Sequence, residues 1–219
     1  TVNANNNVII YGNVTAEGDS TFNADFDADG AGRFTIASGK TLASTDNKNI
    51  TITADAIDFV GSLSSGTGST TLAISDGGTI GLGGTSGNMT ITDAELGKIT
   101  AGTLNIGNSS TGNMTVDGIS AANSNNAAVV NLTTASGSSV SFSNNNSTFN
   151  ALSTNGGSAS FGSGLTVTTD TGKLSINSTS ITSAGALTLA SATGIEFGSG
   201  VTFAAGGTLS MTATSGGIV

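Results

Sequence analysis

The sequence contains no proline, cysteine, histidine or tryptophan. Without His or Cys there is no Ser-His-Asp or Cys-His nucleophile, no imidazole or thiolate metal site and no disulfide. Positive charge is also scarce: five Lys and Arg stand against 14 Asp and Glu, a formal charge of −9. A chain with so few cations repels a phosphate backbone, so nucleic acid is not expected as a partner. Long apolar runs are missing too. No stretch reaches the length of a membrane helix, and the alternating segments fall short of the roughly nine to eleven residues of a membrane barrel strand, so membrane insertion is not expected.

What the chain does contain is small and polar. Of 219 residues, 33 are Gly, 35 Thr, 31 Ser and 22 Asn, whereas Leu, Ile, Val and Phe supply only 49. That apolar share barely suffices for a core, so folding depends on how the 49 are arranged. They are arranged periodically. Leu165-Thr166-Val167, Leu187-Thr188-Leu189 and Leu209-Ser210-Met211 recur at 22 and 22 residues, and the turn residues Thr171-Gly172, Thr193-Gly194 and Ser215-Gly216 keep the same phase. Gly87-Asn88-Met89-Thr90-Ile91 and Gly112-Asn113-Met114-Thr115-Val116 repeat at 25. Apolar-x-apolar triplets starting at Ile50, Leu72, Met89, Met114, Val140, Leu165, Leu187 and Leu209 read as one column, with a short step of 17 between Leu72 and Met89.

Short strands of period two, separated by Gly, Ser, Asn and Asp turns and recurring every ~22 residues, predict an all-β, right-handed parallel β-helix. Nine or ten coils would form a single β-solenoid domain over residues 1–219, with residues 1–49 less regular and 50–219 clearly repetitive. An antiparallel sandwich also uses many short strands but predicts no phase-locked repeat. One helical turn is expected at Asp93-Ala94-Glu95-Leu96-Gly97-Lys98.

The stretch Ile91 to Gly107, with Thr92-Asp93-Ala94-Glu95-Leu96-Gly97-Lys98 and Ala101-Gly102-Thr103-Leu104-Asn105-Ile106 inside it, followed by Gly112-Asn113-Met114-Thr115-Val116, resembles the repeat of filamentous haemagglutinin-like bacterial surface proteins. The resemblance implies a β-helical stalk, extracellular or at the cell surface, working in adhesion or as a matrix fibre. It brings no catalytic residues. The Asn-Pro motifs of that class's secretion-recognition domain are absent, as is any proline.

Two groups of residues stand out as candidate sites. Asp25-Phe26-Asp27-Ala28-Asp29-Gly30 has the alternating carboxylates that open many calcium loops, but the ninth and twelfth positions of that frame are Arg33 and Ile36, so the closing Glu is missing. The preferred reading is a strand with Phe22, Ala24, Phe26 and Ala28 inside and the carboxylates in solvent. If calcium binds, its ligands are expected to be Asp25, Asp27 and Asp29, with Glu17 or Asp19 assisting; otherwise no cofactor is expected. The outward residues beside the apolar column, Thr51, Thr53, Thr90, Thr92, Thr166 and Thr168 among them, are expected to form parallel files, a surface suited to ice or carbohydrate. Thr is also simply a good outward strand residue. The pairs Asp55 and Asp58, and Asp93 and Glu95, could do acid-base work in a polysaccharide-active enzyme, but a solvated surface explains them better. The nine Asn-x-Ser/Thr sequons are near the chance number for this composition.

The function expected from these features is that of a non-enzymatic structural module of an extracellular fibre, adhesin stalk or biofilm filament. Neither terminus carries a cap-like helix or charged blocker. The expected partners are therefore further copies joined head to tail, or flanking coils of a longer chain, with a cell-surface or glycan receptor as a further possibility.

Overall fold

A segment that alternates a large apolar residue with a small polar one buries a single face, and it gains most by stacking on a like segment of the next coil. The computed structural model, which describes residues 1–219, shows this stacking through about ten turns at intervals of about 22 residues. The strand pairs are all parallel. The protein is a parallel β-solenoid with three faces.

On the first face the register is unbroken from end to end. Val2, Phe22, Ile52, Leu72, Ile106, Leu132, Thr154, Ile176 and Phe197 stand over one another in successive coils. The second face begins with Val8, Phe34 and Ile57 and ends with Met114, Val140, Ala159, Ile181 and Phe203. Between these runs the chain doubles back: Met89–Ile91 packs on Ala56–Phe59 and pairs with Ile80–Gly83, which in turn carries Met114–Asp117. The fold-back lengthens the coil from Leu72 to Ile106 and accounts for the irregular 17-residue step in the sequence. The third face starts with Val14, Leu42, Leu63 and Ile99 and finishes with Leu165, Leu187 and Leu209.

Two short helices, α1 (Asp93–Leu96) and α2 (Ala121–Ser124), sit on successive coils. The first is the turn expected from the sequence. Its N-terminal end is fixed by a capping box in which the Thr92 hydroxyl accepts from the Glu95 N–H and Glu95 reaches back to the Thr92 N–H. Later strands bend round a corner and serve two faces: Leu152–Phe161 pairs with both Ala127–Thr133 and Ser139–Phe142.

Forty-four buried apolar residues form one continuous core. Phe22, Phe34 and Phe59 meet edge to face at 5.5 and 6.2 Å, and Phe142 stacks on Phe161 at 5.1 Å. The single apolar column expected from the triplets is a composite. Ile50 and Leu72 lie on the first face, Met89, Met114 and Val140 on the second, and Leu165, Leu187 and Leu209 on the third. Inward triplets look alike on every face, so the repeat interval alone did not separate them.

Candidate functional site

The acidic run leaves its strand earlier than alternation suggests. Ser20–Asn23 carries Phe22 inward and Ala24 is fully buried, but the next inward group is the Asp25 carboxyl, 1% exposed, while Phe26 is 57% exposed. The expected continuation with Phe26 and Ala28 inside is therefore wrong. The reason is local hydrogen bonding. Asp25 accepts the N–H groups of Asp29 and Gly30 at 3.2 Å each, and the Ser75 hydroxyl from a later coil. That turn holds Ala28 at φ 55° and Gly30 at φ 78°, and glycine fits the second without cost.

The turn brings the three expected carboxylates together: one oxygen each from Asp25, Asp27 and Asp29 lies within 4.8 Å of the others. Asp55 and Asp76, from the next coils, add to the same negative field. The Asp27 carboxylate, with burial and Asp25 after it, raises the pKa of Asp29 above the ordinary value. Burial, then Asp76, Asp25 and Asp29, does the same to Asp55. The chain's one ion pair, Lys173 with Glu196, is elsewhere. As a cation site the cluster is partial. Calcium takes about six to eight oxygens, and of the three carboxylates here the buried one is already engaged by two N–H groups and a hydroxyl.

The threonines expected in files fall on three separate faces: Thr51 and Thr53 on the first, Thr90 on the second, Thr166 and Thr168 on the third. Thr92 is spent on the α1 cap. The neighbours of Thr51 along the first face are Thr21, Thr71, Asn105, Asn131 and Ser153, so the file there passes into asparagine. Asn131 donates to Asn105 at 2.9 Å, and Asn177 to Asn155 at 3.2 Å.

Of the acid-base candidates, Asp93 and Glu95 are coil fasteners. Asp93 accepts from the Ser120 N–H, the Ser120 hydroxyl and the Asn123 amide at 2.7–2.9 Å, joining α1 to α2. Glu95 also accepts the Phe59 N–H at 3.1 Å. Asp117 works likewise: burial acts to raise its pKa, but the Asn144 and Asn145 amides and the Asn145 N–H outweigh it and hold the value below ordinary.

A role missed in the sequence belongs to the asparagines that precede strands. Asn13, Asn49, Asn113 and Asn146 accept the N–H groups of Thr41, Ser69, Ser139 and Thr166 on the following coil at 2.7–3.1 Å. The readable signal was the recurring Asn-apolar-Thr of Asn13-Val14-Thr15, Asn49-Ile50-Thr51 and Asn113-Met114-Thr115. In these sequons the Asn couples coils, the apolar residue enters the core and the Thr faces out.

At the C-terminal end the core opens. Phe197, Val201, Phe203, Leu209, Met211 and Val219 line a concavity of about 560 Å³. The strands there, Thr202–Ala205 and Leu209–Ala213, are paired on one side only. Asn7–Ile10 and Val14–Ala16 at the other end are in the same state. Compared with known proteins, the chain matches no family, no curated protein and no solved structure.

Proposed function

We propose that this chain is a non-enzymatic structural module, a stiff segment of an extracellular bacterial fibre, adhesin stalk or biofilm-matrix filament that extends end to end through further copies or flanking coils. The observation that carries this reading is the unbroken parallel stacking of about ten coils around one continuous apolar core, with end strands to which a further coil can be added. Unpaired strand edges beside exposed apolar surface favour adding another coil. The filamentous haemagglutinin-like resemblance of Ile91–Val116 supports the surface location and the stalk role. The acidic and amide side chains fit it too, since most of those with partners tie one coil to the next.

Ice or carbohydrate binding by a threonine array gains no support from a set that is split over three faces. Negative-stain microscopy of the isolated chain tests the reading: filaments several times longer than one rod are expected, and monodisperse short rods at high concentration would count against self-assembly.

A further inference from the structure

We propose that a slot on the third face, walled by Thr168 and Asp170 on one side and by Thr212 and Thr214 on the other, binds one neutral pyranose unit of a glycan.

The slot is a gap in an outward file. Thr148, Thr168, Ala190 and Thr212 stand over one another in successive coils. The backbone bonds from Ala192 N–H to Thr169 and from Thr214 N–H to Ser191 carry the same register on to the corner, where Asp170, Ala192 and Thr214 follow one another. In Leu187–Ser191 the inward residues are buried and Ala190 faces out. Where Ala190 and Ala192 take the place of longer side chains, two methyl groups make a floor two residues, or ~6.6 Å, long. The flanking coils make walls two strand spacings apart, ~9.6 Å. The concavity between them is about 210 Å³. It opens sideways, so adding a coil to the solenoid leaves it in place.

Its lining mixes polar walls with an apolar floor. Hydrogen bonds beneath and beside it join Thr169 and Ser191 to each other and to the Gly172 carbonyl, and bring the Asn125 amide to one Asp170 oxygen at 3.0 Å. They leave free the hydroxyls of Thr168, Thr212 and Thr214 and the second Asp170 oxygen. A hydroxyl donates and accepts, whereas a carboxylate only accepts. The matching ligand therefore carries several O–H groups around a C–H patch that can cover Ala190 and Ala192. A pyranose ring has both.

Other ligand classes fit less well. Leu187–Ser191 is paired on both sides, with Leu165–Thr169 and Leu209–Ala213, so a peptide strand finds no free backbone edge. An anion would meet Asp170 with no cation in the lining, since Lys173 is engaged by Glu196 elsewhere. Calcium takes about six to eight oxygens, and the slot offers one carboxylate. The volume falls below the ~300–1,000 Å³ of sites that enclose drug-sized ligands, which limits occupancy to a single ring. This is a gap on one face, distinct from a threonine array.

Saturation-transfer NMR tests the site with glucose, galactose, mannose and their neutral N-acetylated amino sugars as probes. The method reads the free sugar, so it serves a single rod and a filament alike. At least one of these sugars is expected to be saturated, most strongly at its C–H protons. Ala190→Thr restores the file with the residue that both flanking coils carry there. It should leave the melting temperature unchanged and weaken the signal about tenfold, because the added side chain occupies the ring's place. Asp170→Ala should weaken it too, and glucuronate, an anion, should give no signal. Silence from every neutral sugar would overturn the proposal. So would a signal undiminished in Ala190→Thr, or glucuronate saturated as strongly as the neutral sugars. Each of these failures leaves the structural-module reading intact, because that reading does not use the slot.

Discussion

Thr154 is a polar exception inside the apolar column. It stands in the first-face column between Leu132 and Ile176, fully buried, and its hydroxyl has no hydrogen-bond partner. An unpaired buried hydroxyl costs about 1–3 kcal/mol, and valine has nearly the same shape. Thr154→Val is therefore expected to stabilise the fold by roughly 1 kcal/mol in urea unfolding. A destabilised variant would show that the hydroxyl has a partner. The carboxylates set the response to pH. Asp29 and Asp55 have raised values in the fold, so the folded state takes up protons before the unfolded chain does, and stability should rise as pH falls from neutral into the window just above the ordinary carboxylate value. Asp117 has a lowered value; its contribution is present above the ordinary value and lost as pH falls through its folded one. A melting-temperature series should thus pass through a maximum on mild acidification and then decline. Asp55→Asn should flatten the rising limb. A melting temperature that falls steadily from neutral pH would contradict the crowding at Asp25, Asp27, Asp29, Asp55 and Asp76.

Within one strand, alternation decides what each substitution does. In Met89–Ile91 the Ile91 side chain is fully buried and Thr90 faces outward. Ile91→Asn loses a buried branched chain and leaves an unpaired amide, a cost of roughly 3 kcal/mol or more. Thr90→Asn should change stability by less than about 0.5 kcal/mol, as an outward substitution does. Equal losses in chemical denaturation would show that the strand is inverted. This alternation, the turn glycines and the single helical turn at α1 were all legible in the sequence, because each depends on residues a few positions apart. The assignment of triplets to faces was not. Leu72, Met89 and Leu165 present the same apolar-x-apolar signal, and only the fold-back at Ile80–Ile91 and the pairing of Leu165–Thr169 with Ser147–Phe149 and Leu187–Ser191 show that they belong to three faces. Asp25 was misread for a similar reason. Its burial depends on Ser75, fifty residues away, and on the N–H groups of a turn that alternation does not reveal.

For the whole molecule, the repeated coil-on-coil contact that stabilises the fold is also the contact the proposed end-to-end extension would use. Each coil buries its apolar residues on the next, and amides and carboxylates such as Asn13, Asn49, Asp93 and Asp117 fasten the corners. The chain has 22 asparagines but none after Asn177, so the last coils offer a neighbour strand edges and apolar surface rather than amide fasteners. Docking there should consequently persist in salt and weaken in urea. About ten coils at ~4.8 Å spacing make a rod roughly 45–50 Å long. The most direct test of end-to-end extension is small-angle X-ray scattering over a concentration series. The account predicts a constant cross-section and a length that grows in steps of roughly one rod. A fixed single-rod length at every concentration, or a cross-section that widens with concentration, would contradict it.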